Sequence, residues 1–145
     1  MPELFSHRVR VRFNECDPQG VVFYANYLMY VDVAMTEFWR EAAGGYAAMV
    51  ASGTDVMVAE ANIRYRESAR FDDEVDVRMW VTRLGTTSVV SGFALERAAD
   101  GALLVEGELR QVFVDGTNYE KRDIPEPIRE GLARYWVEEP EQVGG

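Results

Sequence analysis

The chain has 145 residues, 48% of them hydrophobic, enough for one domain with one core, and 25 acidic against 15 basic residues leave a formal charge of −10 at pH 7. That balance repels nucleic acid over most of the surface, but it leaves an anionic small ligand open, because a local arginine cluster outweighs a distant field screened by salt. No apolar run is long enough for a bilayer, the first residues lack a signal-like pattern and Cys16 is the one cysteine, so the chain reads as cytoplasmic, without membrane or disulfide.

Over residues 5–13, Phe5, His7, Val9, Val11 and Phe13 alternate with Ser6, Arg8, Arg10 and Arg12, which predicts a half-buried strand with a basic outer face. His7, the one histidine, falls on the apolar side; no partner motif adjoins it, so it reads as a strand residue rather than a general base. Asp17-Pro18-Gln19-Gly20 then has turn chemistry: Asp bonds nearby backbone, Pro presets φ and Gly admits positive φ. Residues 21–41 read as a helix whose unpaired N–H groups face back to that turn. Its period is clearest over 24–43, where Tyr27, Tyr30, Val31, Ala34 and Phe38 recur at three- and four-residue spacing. Tyr24, Leu28, Met35 and Trp39 widen the apolar surface, which predicts a helix enclosed by other structure. Gly44-Gly45 ends it.

Residues 46–52 read as one short helical turn. Over 55–66, Met57, Ala59, Ala61, Ile63 and Tyr65 share one face and Glu60, Asn62, Arg64 and Arg66 the other. Residues 74–84 place Val75, Val77, Met79 and Val81 on one side, residues 86–97 are β-branched and aromatic, and Asp100-Gly101 signals a hairpin into 103–115. Ile128, Leu132 and Tyr135, after two prolines, predict a short amphipathic helix, and beyond Glu138 an acidic tail is expected to fray. A strand, a long helix and four further strands make an α+β layout in one domain over 1–145, ordered from about 4 to 138. Strands apolar on both faces, as where Trp80 stands beside Val81, need a second cover, most simply another copy of the chain.

Chemistry concentrates in residues 14–27. A carboxylate, Asp17, held in a turn against helix N–H donors suits attack on a carbonyl, as nucleophile or as general base on water; its plain alternative is a turn or cap residue. Asp17-Pro18-x-Gly20-Val21-Val22-Phe23-Tyr24-x-Asn26-Tyr27, with Ile63-Arg64-Tyr65 and Phe71-Asp72-Asp73-Glu74 downstream, resembles the signature of hotdog-fold acyl-CoA thioesterases of the 4-hydroxybenzoyl-CoA thioesterase type. The likeness runs over roughly residues 9–128. It implies a hotdog fold, an antiparallel sheet of about five strands wrapped around one long central helix. It further implies hydrolysis of an acyl-CoA thioester, aromatic groups such as 4-hydroxybenzoyl included, in a homodimer or homotetramer with sites between protomers. No cofactor or metal is implied, coenzyme A being part of the substrate.

Carried onto this chain, the resemblance makes Asp17 catalytic, Gly20 the residue that permits the turn, and the backbone N–H at Tyr24 the donor that polarises the thioester oxygen. Many relatives carry His at the position of Tyr24, so a mechanism resting on one carboxylate is expected here. Tyr27 is a candidate wall of the acyl pocket, beside Phe23 and Tyr30, and as readily plain core. Asp32 is expected to be buried mid-helix, either touching a polar group of the acyl moiety or bonded structurally; the family's Arg three residues on is Met35 here. For coenzyme A the turn Arg83-Leu84-Gly85-Thr86-Thr87-Ser88 is the candidate, through Arg83, Thr86, Thr87 and Ser88, with Arg64, Arg66 and Arg70 as other sources of charge. Glu60 reads as structural, and Cys16, with no histidine near, as an ordinary buried thiol. The competing functions are a hotdog protein that binds acyl-CoA or acyl-carrier protein without turnover, and an enoyl-thioester hydratase, for which His7 is badly placed.

Overall fold

The structure, a computed structural model, describes residues 4–138. The elements are β1 (Phe5–Arg10), a 3-10 turn (Phe13–Glu15), α1 (Asn26–Ala43), α2 (Tyr46–Ala51), β2 (Thr54–Tyr65), β3 (Glu74–Leu84), β4 (Ser88–Arg97), β5 (Leu103–Asp115) and α3 (Glu126–Ala133). The five strands form one antiparallel sheet in the order β1-β3-β4-β5-β2. This is the expected α+β arrangement, with the alternation of β3 and β5 setting their inward residues Val77, Met79, Leu109 and Phe113 into the core. Across the sheet lies α1, whose buried face carries Tyr27, Tyr30, Ala34, Phe38 and Trp39. Phe38 meets Phe5 of β1 edge-on at 5.2 Å, and Trp39 meets Phe113 of β5 at 6.0 Å, so two adjacent residues of the helix touch both the first and the fourth strand of the sheet order. Such burial, worth roughly 1.5–3 kcal/mol for each large side chain, holds the helix in place.

Several local expectations change. The helix begins at Asn26 rather than at residue 21, because Val21 and Val22 spend their backbone groups elsewhere: Asp17 N–H donates to Val21 O, and Val22 N–H to Ala69 O, both at 2.9 Å. Nor is α1 enclosed all round; Met29, Asp32, Val33, Thr36 and Arg40 form an exposed face in the protomer. The first strand stops at Arg10, and Phe13, in the 3-10 turn, is 78% exposed instead of lying on an apolar strand face.

In β2 a bulge falls between Val58 and Glu60, so parity switches there. Val58 pairs with the buried Gln111, and Ala61, Ile63 and Tyr65 pair with Leu109, Gly107 and Val105, whereas Met57 pairs with Val112 on the outer side. Met57 and Tyr65 therefore do not share a face, as uniform alternation had required. The same strand pairs with β5, not with its sequence neighbour β3, and forms one edge of the sheet.

Gly44, at φ 76°, closes α1 as expected, and Gly101, at φ 74°, turns β4 into β5. On the far side α3 crosses the end of α1 so closely that a Cβ on Gly131 would fall on the Ala42 carbonyl oxygen. Tyr135 Oη donates to Glu41 Oε2 at 3.0 Å across the same contact. Among the described residues no helix is long and apolar enough to cross a membrane. The tail expected to fray beyond Glu138 lies outside the described residues.

Candidate active site

The turn after the 3-10 segment is held by its own backbone. Gly20 N–H donates to Asp17 O at 2.9 Å, and Gly20 adopts φ 80°, a conformation that suits glycine and would strain any other residue. Gln19 N–H donates to Asp17 Oδ1 at 2.8 Å, which fixes the carboxylate's direction. Its second oxygen, Oδ2, accepts no hydrogen bond among the described residues. The half-buried Asp17 lines a cleft of about 310 Å³ together with Gln19, Val22, Tyr24, Tyr27 and Tyr65, and with Arg66, Glu67 and Ser68 beyond them. Asp17, Gly20, Tyr24 and Tyr27 are thus brought to one place. A cleft of the same size on the outer face, lined by Trp80, Gly92 and Glu106 among others, lies away from this turn.

Beside Asp17, residues 23–25 are exposed and outside the helix, Tyr24 at 64%. Phe23 N–H donates to Glu15 O at 3.0 Å, Asn26 N–H to Phe23 O at 2.8 Å, and Tyr65 Oη to Tyr24 O at 3.0 Å. The Tyr24 N–H itself has no acceptor among the described residues. Tyr65 and Tyr27 stand edge to face at 5.8 Å, and Tyr27 Oη accepts from Ala69 N–H at 3.0 Å. Burial, partly offset by that bond, pushes the Tyr27 hydroxyl above its ordinary value, so it stays protonated at neutral pH.

Beneath the turn lies a buried carboxylate that sequence reasoning missed. Glu15, 5% exposed, accepts from Tyr30 Oη at 2.9 Å and from Arg12 N–H at 2.8 Å, and pairs with the Arg12 guanidinium at 2.9 Å. Burial raises its pKa, but the Arg12 N–H, the Tyr30 hydroxyl and the guanidinium together outweigh burial and hold it below the ordinary value. Burial first, then the bond to Glu15, push the Tyr30 hydroxyl far up. The main chain of Glu15 serves the site as well, since Glu15 O also accepts from Asn26 Nδ2 at 2.8 Å. Tyr30 is therefore a support under the turn and not a pocket wall. The sequence signal was available: an acid two residues before Asp17, with a tyrosine one helical turn past Asn26.

Other expected residues lie elsewhere. Asp32 is exposed, because the face of α1 that carries it is uncovered in the protomer; the expected burial is absent. The 83–88 turn stands at the opposite end of the sheet: Ser88 pairs with Val112 of β5, whereas Tyr65 pairs with Val105, about 23 Å along the strand at ~3.3 Å per residue. Within one protomer Arg83, Thr86, Thr87 and Ser88 thus do not reach the Asp17 cleft. The turn is instead braced by α3, Arg129 Nη2 donating to Gly85 O at 2.5 Å and to Thr86 O at 3.3 Å. Of the arginines weighed as other sources of charge, Arg66 lines the cleft, with its Nε 3.6 Å from Glu106. Cys16 is half-buried, and Glu60 sits on the exposed outer side of β2, 3.8 Å from Arg110.

The model of the thioesterase superfamily matches residues 19–103. The acyl-CoA thioester hydrolase YbgC of Escherichia coli O6:H1 is 30% identical over 125 residues, 86% of this chain and 92% of that one. Among solved structures, the dynemicin thioesterase, described with bound polyene, superposes with a TM-score of 0.85 at 27% identity, covering 93% of this chain and 99% of that one. The protein TT1821 of Thermus thermophilus gives 0.84 at 29% identity, covering 94% and 100%.

Proposed function

This chain belongs to the thioesterase superfamily, and from that premise we propose that it hydrolyses an acyl-CoA thioester to the free acid and coenzyme A, with Asp17 as the catalytic carboxylate. One observation carries the assignment. Asp17 is oriented through one oxygen, keeps the other unbonded, and shares a cleft with Tyr24, whose backbone N–H has no acceptor among the described residues. The carboxylate either attacks the thioester carbon, expelling the thiolate and leaving an anhydride for water to open, or takes a proton from an attacking water. In both routes negative charge gathers on the carbonyl oxygen. An N–H donor at Tyr24 stabilises it by on the order of 3 kcal/mol. No cofactor enters either route.

The acyl group we favour is aromatic or otherwise flat and conjugated, since Tyr24, Tyr27 and Tyr65 provide aromatic walls to the cleft. Arg66, which lines the cleft, is one source of charge for the phosphates of coenzyme A, and Arg70, whose Nη1 lies 4.0 Å from where a Cβ on Gly20 would stand, is another. A second copy of the chain completes this reading. The edge strand β2 exposes Met57, Val58, Ala59 and Ala61 and, among the described residues, is unpaired on its outer side, an open template for another strand. Antiparallel pairing of two such edges reverses the second copy, which brings its 83–88 turn to the same end of the joined sheet as Asp17. Asp32, exposed on α1, then has a role only across that interface.

Thiol release measured on benzoyl-, hydroxybenzoyl-, phenylacetyl- and aliphatic-CoA tests the activity and ranks the acyl groups. Binding of these thioesters without release would instead identify a non-catalytic acyl-CoA binding protein.

A further inference from the structure

We infer that Asn26 is a positioning residue for the oxyanion donor: its side-chain amide ties the first residue of α1 to the segment that carries Asp17, and so holds the Tyr24 N–H in place relative to the catalytic carboxylate. The inference rests on the proposed thioesterase activity and on Tyr24 N–H as the donor. That N–H lies in the peptide plane it shares with the Phe23 carbonyl. No peptide bond among the described residues is cis, so in this plane the N–H points opposite to the C=O. Asn26 N–H donates to Phe23 O at 2.8 Å and closes a tight turn over residues 23–26. The Phe23 carbonyl thus faces Asn26, and the Tyr24 N–H faces away from it. Whatever fixes Asn26 therefore fixes the direction of the donor.

The chain on either side of the Asp17 turn forms a short hairpin. Asp17 N–H donates to Val21 O at 2.9 Å, Cys16 bridges antiparallel to Val22, and Phe23 N–H donates to Glu15 O at 3.0 Å. This pairing ends at Phe23. Residues 23–25 are exposed and non-helical, so side-chain packing does little to hold the backbone that follows. The half-buried Asn26 takes up the hold where the hairpin stops: its Nδ2 donates to the same Glu15 O at 2.8 Å. Both ends of the donor-bearing turn are thus attached to one carbonyl, two residues before Asp17. That carbonyl is itself steady, because the Glu15 side chain is locked under the turn by Arg12 and Tyr30. The Tyr65 hydroxyl on Tyr24 O holds the next plane, that of residues 24 and 25, and does not replace the Asn26 tether. Without Nδ2 the 23–26 turn hinges at Phe23, and the Tyr24 N–H shifts relative to Asp17. A donor catalyses only if it is already aimed where charge develops, so such a shift weakens the transition state more than the bound substrate.

Asn26→Ala removes the tether and leaves the backbone N–H of residue 26. Asn26→Ser does the same with a side chain that suits a helix start, its hydroxyl falling one bond short of Glu15 O, and so guards against loss of the fold. Loosening a donor, rather than deleting it, should lower kcat for the best acyl-CoA substrate about tenfold in both variants, within the roughly hundredfold or more typical of losing such a donor outright. KM should stay within about twofold. The matching dithioester, whose C=S accepts hydrogen bonds weakly, should lose much less than the thioester, so the ratio of the two rates shrinks. A purely structural Asn26 would lower the melting temperature while leaving kcat per folded enzyme unchanged, or slow both substrates alike. A substrate-contacting amide would raise KM, and failure of both variants to fold would make the tether part of the fold alone; each of these outcomes overturns the positioning role. Asp17→Asn assayed in parallel separates the levels. A folded D17N at wild-type rate overturns the underlying reading and this inference with it, whereas an inactive D17N beside N26A and N26S of unchanged kcat overturns the inference alone.

Discussion

Tyr30→Phe tests the support beneath the Asp17 turn. The substitution removes one hydroxyl, 2.9 Å from Glu15 Oε1, in a place where Tyr30 is 2% and Glu15 5% exposed. Glu15 keeps the Arg12 N–H and guanidinium, so the loss is one hydrogen bond to a charged acceptor and not an orphaned charge. Such a bond contributes about 1.5–3 kcal/mol. For a chain of this length each kcal/mol moves the melting temperature by roughly 2–4 °C, which predicts a fall of about 3–12 °C at pH 7. The variant should also change the acid limb. Because the folded-state pKa of Glu15 is depressed, its contribution is fully present above the ordinary carboxylate value and is lost as pH falls through the lower folded value. Removing the Tyr30 donor lifts that folded value towards the ordinary one, so the window narrows and less stability remains to be lost on acidification. Thermal unfolding of wild type and Y30F between pH 3 and 8 measures both effects. A melting temperature within about 1 °C of wild type at pH 7, with the same acid dependence, would refute the reasoning.

Gly131→Ala should destabilise by at least the 1–3 kcal/mol typical of overpacking, since its Cβ meets the Ala42 carbonyl, and denaturant unfolding reads this directly. The open β2 edge predicts a dimer or larger assembly at micromolar concentration; a monomer by light scattering would remove the shared site from the account. If Asp32 reads a hydroxyl on the acyl group from across the interface, Asp32→Asn should shrink the preference for hydroxybenzoyl- over benzoyl-CoA towards unity, a change of about ten- to a hundredfold in the ratio of kcat/KM. An unchanged ratio means Asp32 does not read the acyl group, and because Asp32 is exposed the variant should melt close to wild type.

Where pattern and physics pointed the same way, the sequence was enough. The strict alternation of β3 and the Asp100-Gly101 signal ahead of β5 gave the bounds of those strands, and Gly44 and Asp100-Gly101 marked turns that only a few residue types make readily. The start of α1 was misread because Val21, Val22, Phe23 and Tyr24 continue the apolar pattern; what excludes them is hydrogen bonding to Ala69 and Glu15, which no local pattern records. The bulge in β2 adds one residue without any compositional mark, so every side chain on one side of it was assigned to the wrong face. Asp32 was expected inside because an apolar helix implied enclosure, yet the exposed face of α1 is one that a single chain leaves open. At the site, Asp17 and Gly20 were legible from turn chemistry, whereas Tyr65 was not, because its bond to the Tyr24 carbonyl joins residues 41 apart.

The central claim is that Asp17 is the catalytic carboxylate of a thioester hydrolase, and Asp17→Asn tests it most directly. The amide keeps an oxygen able to accept from Gln19 N–H, so the turn and the melting temperature should be preserved. It can neither attack a thioester carbon effectively nor accept a proton from water, so kcat measured by thiol release should fall at least about a hundredfold, the usual scale for losing an acid–base group. A correctly folded Asp17→Asn variant that hydrolyses acyl-CoA at close to the wild-type rate would contradict the account.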